Sequence, residues 1–191
     1  YSELLMQTIS LIIPCYRDAA TLARAIDSVQ IQTQNVDEII VVNDCSPETA
    51  AIELVLQAYP DVVYIKNPTN LGLAETRNRG VDVAHSEIIT FLDADDELHP
   101  QKIELQSKVL MDNCAVTTEV RRVYSEGRDI SLPHYDHYPA FNEVRGTTRI
   151  LFGNHLTGAS LMIHKEIFTR EGGYDSKLRS CEDFDLWLRL L

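Results

Sequence analysis

The 191-residue chain carries 29 acidic against 17 basic residues, a formal net charge of −12, and 45% of its residues are apolar. That balance excludes nucleic acid and an anionic membrane surface as its main partner, since both attract basic patches, while the apolar content suffices for one core in one domain. No run approaches the roughly 18 apolar residues of a membrane span, and the scattered Cys15, Cys45, Cys114 and Cys181 form neither a zinc knuckle nor a disulfide framework.

Glu3 stands where a signal peptide carries Lys or Arg, so the reading is a soluble protein of a reducing cytosol. The chain begins at Tyr1 and stops at Leu191 inside a helical pattern, so it is expected to be part of a longer protein.

"ISLIIP" (9–14) reads as a buried strand, and Leu22, Ala25, Ile26 and Val29 share one face of the helix that follows. "EIIVVN" (38–43) is a second strand. The helix after it has Ser46 as N-cap, Pro47 in the first position and Glu48 in the first turn. "VVYIKN" gives a third strand, a helix from about Gly72 to Ala84 follows, "EIITFL" (87–92) is a fourth strand, and Pro100 opens a helix to about Asn113. Such alternation implies an α/β fold with a mainly parallel sheet flanked by helices.

Beyond residue 114, "AVTTEVRRVYS" is a strand candidate and 125–146 a long loop. "ASLMIH" (159–164) reads as a strand and "KEIFTREGGYD" as a short helix ending at Gly172-Gly173. "CEDFDLWLRLL" reads as a helix with Phe184, Trp187, Leu188 and Leu191 on one side.

Ligands of open α/β sheets sit at the carboxyl ends of the strands. Pro14 to Arg17, Asn43 to Ser46 and Asp93 to Asp96 are therefore expected to line one rim. "FLDADDELHP" crowds Asp93, Asp95, Asp96 and Glu97 into five positions, which requires a positive partner. Asp93 and Asp95, at i and i+2, can converge on Mg²⁺ or Mn²⁺ and leave coordination positions for a diphosphate. Equally, Asp95 to Glu97 can be loop acids favoured by the dipole of the next helix. Asp44 suits a ribose hydroxyl or base N–H, or simply a turn. Arg77 and Arg79 suit a base or phosphate, or a solvated helix face. The first loop has neither a G-x-G-x-x-G nor a Walker pattern.

Six segments in order, "SLIIPCYRDAATLARAIDSVQIQT", "EIIVVNDCSPE", "NLGLAETRNRG", "FLDADDELHP", "GGYD" and "EDFDLWLRL", resemble the family 2, GT-A fold glycosyltransferases across residues 10 to 190. These enzymes transfer a sugar from a nucleotide-sugar to a hydroxyl acceptor with inversion. The resemblance implies that Pro14, Tyr16 and Asp44 contact the nucleoside and that Arg77 lies by the base or diphosphate. It implies that Asp93 and Asp95 form the D-x-D pair serving ribose and a metal-bound diphosphate. Asp183 becomes the general base, with neighbouring Glu182 as second choice.

The implied cofactor is Mn²⁺ or Mg²⁺, and the implied partners are a nucleotide-sugar, with UDP as carrier, and a saccharide or lipid-linked acceptor. No nucleic acid is expected. The setting is cytoplasmic polysaccharide or glycolipid synthesis, with peripheral attachment of the full-length protein to the inner face of a membrane left open. A single domain is expected over 1–191, with its nucleotide-binding half at 1–113, its acceptor-side half at 114–191 and a truncated C-terminus.

Two departures stand out: Arg17 replaces the common asparagine, and Cys45 the common glycine. The early stop keeps a second reading alive, a truncated or degenerate nucleotide-sugar-binding module without transfer. Sugar-1-phosphate nucleotidyltransferases are disfavoured because the first loop is not glycine-rich and basic. Phosphoacceptor receivers are disfavoured because no acidic pair follows the first strand. His134, Asp136 and His137 are read as a polar loop near the acceptor, His155 as structural, and Cys15 and Cys45 as packing residues.

Overall fold

The computed structural model describes residues 7–110, 115–118, 154 and 156–191. The strands are β1 (Ile9–Cys15), β2 (Glu38–Asn43), β3 (Val63–Lys66), β4 (Ile88–Phe91), β5 (Ala115–Val116) and β6 (Met162–His164). The helices are α1 (Leu22–Gln30), α2 (Thr49–Leu56), α3 (Leu73–Val83), α4 (Lys102–Leu110), α5 (Lys165–Arg170) and α6 (Glu182–Leu190), with a 3₁₀ turn at Gly158–Ser160. The sheet order is β3-β2-β1-β4-β6-β5. β1, β2, β3 and β4 run parallel, whereas β6 is antiparallel to both β4 and β5. The expected α/β architecture is met, as a mixed sheet that is parallel in its larger part.

Apolar residues on the two pleats of β1 explain the layering. Leu11 and Ile13 face α1, α2 and α4, whose Ile26, Ile52 and Ile103 are fully buried against them. Ile12 faces the other way, with Val42, Phe91, Ala74 of α3, Leu161, and Leu186 and Trp187 of α6. Gly80 allows α3 to approach closely, because a Cβ there would collide with Ile12 and reach Val42 at 3.2 Å. Phe91, Phe168 and Tyr174 form a tilted and edge-on aromatic cluster with centroids 5.4 to 5.9 Å apart.

Three local expectations are corrected. Regular helix α2 starts at Thr49: residues 47 and 48 form a turn, and Ser46 Oγ accepts the Glu48 N–H at 3.0 Å from outside the helix. The strand expected at 159–164 keeps only Met162–His164, because Ser160 N–H bonds back to the Thr157 carbonyl and closes the 3₁₀ turn. On α6 the buried residues are Leu186 and Trp187, while Leu188 and Leu191 are 43% and 53% exposed. The Arg189 guanidinium fixes that rotation by bonding Asp185 and the carbonyls of Glu171 and Gly173. The 125–146 loop, with His134, Asp136 and His137, and His155 lie outside the described residues, as does the part of the 115–125 strand candidate after residue 118.

Candidate active site

The strand order reverses direction between β1 and β4, which places a crevice over their carboxyl ends. A cleft of about 450 Å³ opens there. Pro14, Tyr16, Asp44, Asp93 and Asp95 all line it, together with Asp18 and, at the start of α3, Asn70, Gly72, Leu73 and Thr76. A wider hollow of about 760 Å³ lies between His85–Glu87 and His164–Arg170, at the other end of β4, and contains none of the expected site residues.

Asp44 organises the first wall. It is buried, its Oδ1 accepts Asn67 Nδ2 at 2.8 Å and Leu71 N–H at 2.7 Å, and its Oδ2 accepts Gly72 N–H at 2.9 Å. Three donors hold one carboxylate in place, and the 67–72 loop is shaped around it. Oδ2 keeps capacity for a further donor from the cleft. The β1 and β2 loops are tied together by Arg17 N–H donating to Ser46 Oγ at 3.0 Å. Both Arg17 (φ 65°) and Cys45 (φ 52°) adopt the left-handed conformation. These are the two positions where the family resemblance leads one to expect asparagine and glycine, the residues that tolerate it best. Tyr16 is 39% exposed, and the Arg17 guanidinium lies 5.3 Å from its ring centroid. Burial, with a smaller contribution from Asp18, raises the Cys15 thiol to about 12, which keeps it neutral and fits a packing role.

The acidic loop after β4 receives two arginines. Arg77 Nη2 donates to Asp93 Oδ1 at 2.7 Å, and Arg24 Nε meets Glu97 at 3.0 Å. Asp95 and Asp96 have no side-chain partner among the described residues. Burial and then Asp93 and Asp95 raise the Asp96 carboxyl; burial foremost, with Asp95, Glu48 and Asp93, raises Asp18 against an opposing Tyr16 N–H bond. Negative charge therefore exceeds what the arginines balance. Among the described residues no three His, Cys, Asp or Glu side chains form a preformed metal cage. The donor set, hard carboxylates in excess and too few to enclose an ion, fits a divalent cation that completes its shell with water and ligand oxygens.

Arg77 is not a cleft-lining residue. It is 2% exposed, and its second arm, Nη1, donates to Glu182 Oε1 at 3.2 Å. The Tyr174 ring lies 5.5 Å from the guanidinium, and a Cβ on Gly158 would come within 2.8 Å of Nη1. Burial works against its charge, but Asp93 foremost and Glu182 also outweigh that and hold the guanidinium above its ordinary value.

Asp183 is half-buried in the first turn of α6, where its Oδ1 accepts Asn154 Nδ2 at 3.0 Å and Phe184 N–H at 2.7 Å. Cys181 precedes the helix in the left-handed conformation at φ 62°. Asp183, Leu186, Trp187 and Leu190 are spaced i, i+3, i+4, i+7, so the carboxylate shares the inward side of the helix.

Five of the expected residues thus meet at the cleft, Arg77 and Glu182 form a second group joined to it through Asp93, and Asp183 follows on α6 with partners of its own. Sequence reasoning missed Asp18, Asn67, Tyr174 and Gly158. Tyr174 belonged to a quoted segment, "GGYD", but nothing in the sequence signalled its contact with Arg77.

Comparison with known proteins shows the family and the fold. The sequence profile described as Glycosyl transferase family 2 matches residues 10–170. The chain belongs to glycosyl transferase family 2. Relatives include an uncharacterised glycosyltransferase of Haemophilus influenzae, 34% identical over 188 residues, covering 96% of this chain and 62% of that protein. A second, of Methanocaldococcus jannaschii, is 30% identical, with 89% and 59% covered. A putative colanic acid biosynthesis glycosyl transferase of Escherichia coli is 27% identical, with 96% and 66% covered.

This family 2 chain therefore spans under two-thirds of the relatives it matches. Crystal structures of S. aureus TarS 1-349 share the fold: the complex with UDP-GlcNAc has a TM-score of 0.72 at 18% identity, covering 96% of this chain and 53% of that one. The complex with UDP has a TM-score of 0.71 at 17% identity, covering 95% and 54%. The GT-A fold expectation is met. Among the described residues no helix is long and apolar enough to cross a membrane.

Proposed function

We propose that this chain is the donor-binding and catalytic part of a metal-dependent, inverting glycosyltransferase. It moves a sugar from a UDP-sugar to a hydroxyl acceptor in polysaccharide or glycolipid synthesis. The observation that carries the reading is the cleft at the switch point, with Asp44, Asp93, Asp95 and Tyr16 on its walls. Family membership and the TarS complexes with UDP and UDP-GlcNAc support the donor class, and the Escherichia coli relative supports the polysaccharide setting.

In this reading Tyr16 offers its exposed ring to the base, and Asp44 Oδ2 accepts a base or ribose donor. Asp93 serves the ribose, and Asp95, with no competing cation among the described residues, is the first ligand of Mn²⁺ or Mg²⁺, with Asp93 beside it. The cation, when bound, neutralises charge on the departing diphosphate. Asp183 takes the proton of the acceptor hydroxyl as the acceptor oxygen bonds to the anomeric carbon, while the bond from that carbon to the diphosphate oxygen breaks and UDP leaves. Its place in the first turn of α6 puts the carboxylate at the positive end of the helix dipole.

Titration calorimetry of UDP with and without Mn²⁺ tests the site. Metal-dependent binding that disappears in Asp95→Ala is the expected result. Equal affinity of Asp95→Ala and wild type, or no UDP binding with Mn²⁺ present, would overturn the donor and metal assignment. Asp183→Asn should bind UDP like wild type and transfer nothing. Failure of the wild-type chain to transfer despite UDP binding would favour a binding module without activity.

A further inference from the structure

Glu182 and Asp183 are consecutive, and their side chains meet different partners. Glu182 Oε1 is held by Arg77 Nη1, whereas Asp183 Oδ1 accepts the Asn154 amide and the Phe184 N–H. We infer that Arg77 is a positioning residue, a strut between Asp93 and Glu182 that sets α6 and with it Asp183, and that Glu182 is an anchor of this strut and not the proton acceptor. The functional part of this inference rests on the glycosyltransferase reading above.

The geometry of one guanidinium carries the argument. Its two terminal nitrogens are shared between carboxylates on elements 16 and 105 residues away in sequence, Asp93 after β4 and Glu182 at the start of α6. A planar fork transmits the position of one partner to the other, which a flexible ammonium would not. Among the described residues Arg77 Nε is buried without a hydrogen-bond partner, and so is the Tyr174 hydroxyl beside it, so the hydrogen bonds of the guanidinium go to the two carboxylates. Their positions set the plane of the fork.

Packing removes the remaining freedom, with the Tyr174 ring 5.5 Å away and Gly158 leaving no room for a Cβ beside Nη1. A turn of α6 about its axis therefore moves Arg77 and, through it, the donor-side Asp93. Asp183 is outside the strut: Asn154 and Phe184 hold its Oδ1, which leaves Oδ2 for the acceptor.

Hydrogen exchange on the protein without ligand tests the strut whatever donor it uses. Asp93→Asn should speed exchange of the amides of 182–185 about ten-fold or more, and Glu182→Gln should do the same for 93–96. Gly158→Ala removes no charge but displaces Nη1, and should produce both effects. Changes confined to the segment around each substitution would overturn the strut.

The role in turnover is read separately with UDP-GlcNAc and Mn²⁺ as donor probe. Glu182→Gln should lower kcat about 10- to 100-fold, raise donor KM by a smaller factor through the loosened Asp93, and leave the acid limb of the pH profile in place, whereas Asp183→Asn should abolish turnover. Glu182→Gln as inactive as Asp183→Asn would overturn the assignment of Glu182. A wild-type protein that does not bind UDP-GlcNAc defeats the donor reading alone, and the exchange result then decides the strut.

Discussion

Asp44 Oδ2 accepts the Gly72 N–H at 2.9 Å, so the residue that ends the β2 rim also builds the entry to α3. Gly72, at φ 86°, turns the chain there in a conformation that side chains rarely adopt. One carboxylate thus shapes the loop and offers its spare lone pair to the cleft.

Asp44→Asn replaces one acceptor oxygen by an amine that faces N–H donors. The lost charge-assisted bonds predict a destabilisation of about 2 kcal/mol in urea unfolding, and UDP affinity reduced about ten-fold. Unchanged stability together with unchanged UDP affinity would show that the loop is held by other means.

Cys45 and Arg17 hold left-handed conformations without being glycine. Cys45→Gly relieves that strain at some entropic cost to folding and should stabilise the protein by about 0.5 to 1 kcal/mol. Arg17→Gly should gain less, because it also removes the guanidinium lying over the Tyr16 ring. A lower urea midpoint for Cys45→Gly than for wild type would contradict this.

Lys102 is buried with Thr90 Oγ1 as its hydrogen-bond partner at 3.0 Å, and burial lowers its ammonium from 10.5 to about 7. The unfolded chain therefore binds one more proton than the folded chain between these values. The cost of the buried charge is complete below about pH 7 and fades as pH rises towards 10.5. Wild type should gain stability relative to Lys102→Met on going from pH 7 to about pH 9, by at most about 1.4 kcal/mol per pH unit. Parallel stability profiles for the two proteins would refute the buried neutral amine.

Gly80 faces Ile12 and Val42 across the α3–sheet contact. Alanine favours a helix by about 1 kcal/mol over glycine, yet its methyl would have to displace fully buried side chains. Gly80→Ala should be destabilising by about 1 to 2 kcal/mol in thermal or urea unfolding. A stabilised variant would mean that α3 can move away from the sheet freely.

The first four strands were legible because unbroken apolar runs end abruptly at polar residues, and the parallel-sheet rule then gathered Pro14, Tyr16, Asp44, Asp93 and Asp95 on one rim. Arg77 was not legible in the same way. An arginine within "LAETRNRG" reads as a solvated face, and its burial depends on Asp93, Glu182 and Gly158, partners that only tertiary structure brings together. The face of α6 was misread for a related reason. Leu188 and Leu191 share helical spacing with Phe184, but the Arg189 fork fixes a rotation that no periodicity encodes. The family's asparagine and glycine at positions 17 and 45 hinted at positive φ, a signal carried by the departures themselves.

β5 runs in the direction of β4, and β6 runs against both, so β5 ends and β6 begins on the side of the sheet that carries the cleft. The connection from 117 to 161 thus starts and finishes on the cleft side, and its described end, Gly158 to Leu161, is buried in the framework. Insertions or deletions in that stretch would leave the pairing of β1 to β4 untouched. Under the proposed function, a change of length there, short of Asn154 and Gly158, is a route to a new acceptor that leaves the donor cleft standing.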